Sequence, residues 1–228
     1  MIALAVIVPR FSQGSKSVPP SRPMVLALQP RPTMDLSGMM LLLSELKPWR
    51  PDASLEEVRD HWQAMYEDTA ASLDQQLASA NLPDDKAIEL QLSQAMLLNV
   101  KGQADQAYQV LAKVRSRAER AEPLVAKWMA GILYAQGVTA LRRGENDNCI
   151  MCRGECSCIL PIVPAAVHTS RTGSQLAIQH FTEYLQQFPK DLEVRWLLNV
   201  AHMTLGEHPQ KVDPQFLISL EKFRHSEF

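Results

Sequence analysis

At 228 residues, with 46% hydrophobic and 21% charged side chains, the chain is too apolar to stay disordered, and it is long enough for one sizeable core or a repeat domain with a tail. A formal charge of −2 and a pI near 6.3 leave no broad basic field, so nucleic acid is not an expected partner. The sequence shows no apolar run near the roughly 20 residues a membrane-spanning helix needs, so no membrane span is expected either.

Met1 to Val8 is apolar, but it lacks a basic leader and is broken at once by Pro9-Arg10, which makes it a poor export signal. Eight of the fifteen prolines fall in the first 51 residues, in runs such as Val18-Pro-Pro-Ser-Arg-Pro23 and Gln29-Pro-Arg-Pro32. Proline lacks an amide proton and restrains its predecessor, so residues 1–33 are expected to be extended and disordered. A helical domain is expected over 34–221, opening with a short helix within 34–46 and followed by a tail at 222–228.

Ser54-Leu-Glu-Glu57 is a capping box. Leu55, Val58, Trp62, Met65, Thr69, Leu73 and Leu77 then recur every three or four residues, forming one stripe of a long helix that ends near Asn81-Leu-Pro83. Further helices read as 84–100, 103–120, 123–143, 174–188 and 192–205, with a short one starting near Asp213. Nothing alternates like a half-buried strand, so the expected class is all-α. Residues 113–122 are locally basic, but interleaved glutamates mark them as a solvated face.

Three helices are followed by glycine in similar contexts: Gly102, Gly144 and Gly206. A glycine there takes the left-handed conformation that closes a helix and lets the next one return antiparallel. Tetratricopeptide repeats place an alanine five residues after the turn glycine, then an aromatic residue and a closing proline, in a 34-residue period. Gly102 and Ala107 match that offset; Ala177, Phe181 and Pro189 match the second-helix positions, and the register from Pro189 lands on Gly206. The interval from Gly144 to Ala177 is 33 residues rather than five, which places a 28-residue insertion within one hairpin. The step from Gly102 to Gly144 exceeds the period by eight, which suggests a lengthened second helix. The expected fold is a tetratricopeptide-like array with a Cys-rich loop over 149–174, although Gln91 and Gln94 stand where large apolar residues are usual.

The insertion holds all four cysteines, Cys149, Cys152, Cys156 and Cys158, followed by His168. Three chemistries fit. Disulfides would staple a loop that lacks a core, with three possible pairings. Thiolates with an imidazole could hold structural zinc, though zinc ligand pairs usually lie a dozen or more residues apart. Free thiols are the third. Covalent haem is excluded because Arg153 stands where Cys-x-x-Cys-His needs its histidine, and a Cys152–His168 nucleophilic pair lacks any orienting motif. His61, His180, His202 and His208 stand singly, and Trp62, Trp128 and Trp196 sit in helical stripes, so packing roles are expected for them.

The strings Gly144-Glu-Asn-Asp-Asn-Cys149, Ser157-Cys-Ile-Leu-Pro-Ile162, Val167-His168, Gly173-Ser174 and, above all, Arg195-Trp-Leu-Leu-Asn-Val-Ala-His-Met-Thr-Leu-Gly-Glu207 resemble the tetratricopeptide-containing N-terminal region of bacterial FG-GAP/ASPIC-UnbV proteins, relatives of cartilage acidic protein. The resemblance covers about residues 85–218. In that family a β-propeller, often with calcium-binding loops, and an ASPIC-UnbV module follow the helices. This sequence resembles the helical half alone, so calcium and propeller functions do not carry over. The resemblance implies an extracytoplasmic (periplasmic or secreted) location and a Cys149–Cys158 pair, with Cys152 and Cys156 as extras. The resulting expectation is a non-enzymatic scaffold that binds a protein or peptide and has no cofactor. The competing expectation is a metal-binding (zinc) or redox module centred on residues 149–168.

Overall fold

The computed structural model describes residues 27–32, 38–46, 48–149 and 162–223. Among the described residues seven α-helices run in chain order: α1 Met39–Ser44, α2 Leu55–Leu77, α3 Asp84–Val100, α4 Ala104–Ala118, α5 Glu122–Cys149, α6 Thr172–Gln187 and α7 Leu192–Thr204. Two 3-10 turns, Pro164–Ala166 and Leu220–Phe223, complete the order, and no strand occurs among the described residues. The protein is all-α.

Local chemistry sets most helix ends. At α2 the Glu57 amide donates to Ser54 Oγ (3.2 Å) and the Ser54 amide donates to Glu57 Oε2 (2.8 Å), so two amides without helical partners satisfy each other's side chains. Helices α3 and α7 both close on a left-handed glycine, Gly102 at φ +75° and Gly206 at φ +66°. In each case the next amide reaches back five residues, Gln103 to Leu98 O and Glu207 to His202 O, both at 2.9 Å. That bond satisfies a last-turn carbonyl and reverses the chain.

Each helix from α2 to α7 packs on its successor, and α3, α5 and α7 also touch one another in sequence. On the other side, Arg115 of α4 grips Glu183 of α6 through two hydrogen bonds of 3.0 and 2.7 Å, and Tyr108 Oη lies 2.7 Å from His180 Nε2. The array therefore has two layers, α3/α5/α7 and α4/α6. The main core lies between them and includes Ile88, Leu111, Val114, Ile132, Leu133, Phe181, Tyr184, Leu185, Val194 and Leu198. A smaller cluster of Leu42, Met65, Leu73, Leu90 and Leu97 attaches α1 and α2 to α3.

Three expectations are corrected. Gly144 does not end a helix, because α5 continues through it to Cys149. It serves the crossing with α6: a Cβ at Gly173 would fall 2.6 Å from Gly144 Cα and 2.7 Å from Ala140 O, so the two backbones nearly touch. The extra length lies in the 28-residue α5, while α4 has an ordinary 15 residues. The first turns of α5 carry Lys127 and Trp128 to the start of α3, where Lys127 Nζ (2.8 Å) and Trp128 Nε1 (2.6 Å) both donate to Asp85.

The segment after Asp213 forms turns instead of an α-helix. The side chain of buried Asn199 takes its backbone partners, donating to Phe216 O (2.9 Å) and accepting from the Ile218 amide (3.0 Å), and Phe216 is anchored in the core. Of the segment expected to be disordered, residues 27–32 lie against the helices, and residues 1–26 and 33 fall outside the described residues. An 18-residue window of α5 passes, by length and composition alone, for a membrane-crossing segment, and 67% of that window is buried inside the body.

Candidate functional site

A cluster of polar and aromatic side chains lies where α6 turns into α7. Asp191 caps α7, accepting from the Val194 amide (3.2 Å), and Glu193 follows in the first helical turn. Both carboxylates stand where the helix dipole favours negative charge. Tyr184 of α6 donates its hydroxyl to Asp191 Oδ2 (2.8 Å), and Tyr134 of α5 donates to Glu193. Burial, then the bond to Asp191 and its charge, push the Tyr184 hydroxyl up to about 12, with Arg31 opposing. Burial and Glu193 raise that of Tyr134 as well. Both phenols therefore stay protonated as donors and hold the carboxylates in place.

Arg31 fills the space they enclose. Its guanidinium carbon lies 3.8 Å from the Tyr134 ring centroid, and Nη2 is 3.3 Å from Asp191 Oδ2 and 2.5 Å from Glu193 Oε2. The side chain is only 10% exposed. Burial works against the charge, but the Glu193 bond, with Tyr184 and Asp191, outweighs it and raises the arginine pKa. The Gln29 amide donates to Ala126 O at 2.7 Å, and Leu28 packs against the main core. Beside Arg31 opens a cleft of about 640 Å³, lined by Pro30, Phe188, Pro189 and Lys190 among others. Stacked rings and paired carboxylates are built to hold a planar cation on an extended backbone.

The residues singled out from the repeat pattern scatter through the scaffold. Ala107, Ala177 and Phe181 are fully buried in the main core, Gly102 and Gly206 end helices, Gly144 lies within α5, and Pro189 reaches the cleft. His168 is 2% exposed, its Nδ1 2.9 Å from Ser174 Oγ and its amide donating to Thr204 O at 2.8 Å. Burial lowers its pKa, with Asp147 opposing, so the ring fastens the returning arm of the insertion to α6 and α7 in neutral form. Asn148 closes the neck of the insertion, donating to Ser170 O (3.0 Å) and accepting from the Ser170 amide (2.9 Å). Cys149 ends α5, whereas Cys152, Cys156 and Cys158 lie outside the described residues. Among the described residues no three potential metal ligands come together.

Sequence reasoning missed Arg31, Tyr134, Asp191 and Glu193, and also Gly137, where a Cβ would collide with the Phe181 ring. Asp191 preceding Leu-Glu-Val was a readable N-cap signal, and Gly137 stands seven residues before Gly144. Compared with protein-family models, curated proteins and solved structures, the chain matches none.

Proposed function

We propose that this chain is a non-enzymatic protein–protein interaction scaffold of tetratricopeptide type, the helical part of a larger FG-GAP/ASPIC-UnbV-like assembly. The observation that carries the reading is the seating of a proline-bearing segment without regular secondary structure, residues 27–32, along α5 and the start of α7. Supporting it are the pairwise packing of consecutive helices, the two-layer division and the left-handed glycines closing α3 and α7. In a tetratricopeptide array the first helices of successive hairpins line a concave groove that takes extended peptides, a part that falls here to α3, α5 and α7. The cysteine insertion is then a stabilised elaboration of one edge.

Site-specific photocrosslinking tests this. A photoreactive side chain at Lys190 or at Leu192, both exposed beside the groove, should give the same defined adduct from source cells, while one at Lys113 on the opposite layer should not. Equal labelling from both layers, or none from either, would overturn the proposal.

A further inference from the structure

We propose that the pocket formed by Tyr134, Tyr184, Asp191 and Glu193 is an arginine-binding site, filled in cis by Arg31 and open in trans to an arginine between prolines in an extended segment of a partner protein. This rests on the scaffold reading and names the chemistry of its partner.

The pocket's own hydrogen bonds argue that it exists independently of its present occupant. Each polar group in it already has another partner: Asp191 caps α7 and accepts from Tyr184, and Glu193 accepts from Tyr134. The pocket therefore keeps its shape when Arg31 leaves, and a preformed site spends little binding energy on ordering itself. The selectivity is for guanidinium, because a planar cation can stack on Tyr134 and meet two carboxylates at its edge, whereas an ammonium offers a point charge and no stacking face.

The occupying segment also has the character of a ligand. Of residues 27–32, Ala27, Gln29, Pro30 and Pro32 are exposed, leaving Leu28 and Arg31 as the anchors. Its described backbone is tied to the body by the Gln29 amide and Ala126 O. Pro30 and Pro32 cannot donate, and they hold the chain extended, so little conformational freedom is lost on docking. A segment anchored by two side chains, on a surface that reads extended backbone, is displaceable by another that carries the same anchors. Because Arg31 belongs to the same chain, it competes at an effective concentration of the order of millimolar, and the apparent affinity for a partner falls by the fraction of time the strap is docked.

The test uses the full chain and a fluorescein-labelled peptide, Ala-Leu-Gln-Pro-Arg-Pro, with fluorescence polarisation as the readout. The wild-type chain should bind weakly, and Arg31→Ala and Arg31→Lys chains at least about tenfold more tightly, as expected if the strap is docked about nine-tenths of the time or more. Substituting lysine for the peptide's arginine should weaken binding about tenfold, and adding Glu193→Gln to Arg31→Ala should weaken it again. Unchanged affinity in both Arg31 variants, or equal binding of a peptide with alanine in place of arginine, would overturn the inference. So would loss of helix content by circular dichroism in both Arg31 variants, since the strap would then be part of the core. If the peptide fails while Lys190 and Leu192 still crosslink a common partner, this inference falls and the scaffold reading stands. If the peptide binds but no adduct forms in cells, the arginine-binding pocket stands, and the scaffold reading falls together with the partner protein it supplies.

Discussion

Gly173→Ala is the sharpest test of how α5 and α6 cross. The new Cβ would fall 2.6 Å from Gly144 Cα and 2.7 Å from Ala140 O, and these are backbone atoms of a central helix rather than the end of a flexible side chain. Carbon–carbon contact is comfortable at about 3.5 Å, so the helices must part by roughly 1 Å, and a gap of that size forfeits a quarter to a half of each dispersion contact across the seam. The cost should fall at the upper end of the range for overpacking, about 2–3 kcal/mol. Gly144→Ala is the paired control. Its Cβ would lie 3.2 Å from the Ser174 amide nitrogen and 3.3 Å from Ser174 Oγ, a crowding of a few tenths of an ångström. Against this, alanine in a helix interior gains about 1 kcal/mol over glycine. Gly144→Ala should therefore stay within about 1 kcal/mol of wild type. Thermal melts followed by far-UV circular dichroism should show Gly173→Ala losing about 4–10 °C and Gly144→Ala shifting little. A neutral Gly173→Ala, or equal losses in both, would refute the close crossing.

Further outcomes follow from the buried polar groups and the core. His180 is 4% exposed and held down to about 4, first by burial and then by Arg115, with Glu183 opposing. The unfolded chain takes up that proton near 6.5, so this contribution is fully present above pH 6.5 and is lost as the pH falls toward 4, about 3 kcal/mol in all. His168 and His202, also lowered by burial, act in the same direction. Urea midpoints from pH 7 to 4.5 should fall more steeply for wild type than for His180→Gln, and parallel profiles would refute this assignment. Phe181→Ala removes a fully buried ring from the α5/α6 seam and should cost about 3–5 kcal/mol in urea unfolding; a loss below about 1 kcal/mol would show that the seam collapses around the gap. Asn199→Ala strands the Phe216 carbonyl and the Ile218 amide, at about 1–3 kcal/mol for each group left unpaired. Hydrogen exchange should then quicken over residues 213–220 ahead of α6, and uniform quickening would point instead to global loss. For the insertion we propose disulfides: native-source protein should resist alkylation until reduced and carry no stoichiometric zinc, whereas four reactive thiols with one bound zinc would replace the scaffold reading by a metal module.

What could be read from the sequence depended on how far away the deciding partner lies. The capping box at Ser54 and the left-handed closures at Gly102 and Gly206 involve atoms within five residues of each other, and all were legible. Gly144 stands in similar company, after two arginines at the end of an apolar stretch, yet its role is set by Gly173 across the insertion. A glycine that ends a helix and one that admits another backbone look alike in one dimension. Arg31 shows the same division. The prolines around it imply an extended backbone, because that is a property of the pyrrolidine ring. Whether an extended segment stays in solvent depends on what complements it, and here that is Tyr134, Tyr184, Asp191 and Glu193, all more than a hundred residues onward. The proline rule speaks to conformation and is silent on location. That separation also suits the segment to be a ligand in cis: its shape is made locally by its own prolines and its address is written elsewhere, so another chain with the same local chemistry can be read at the same address.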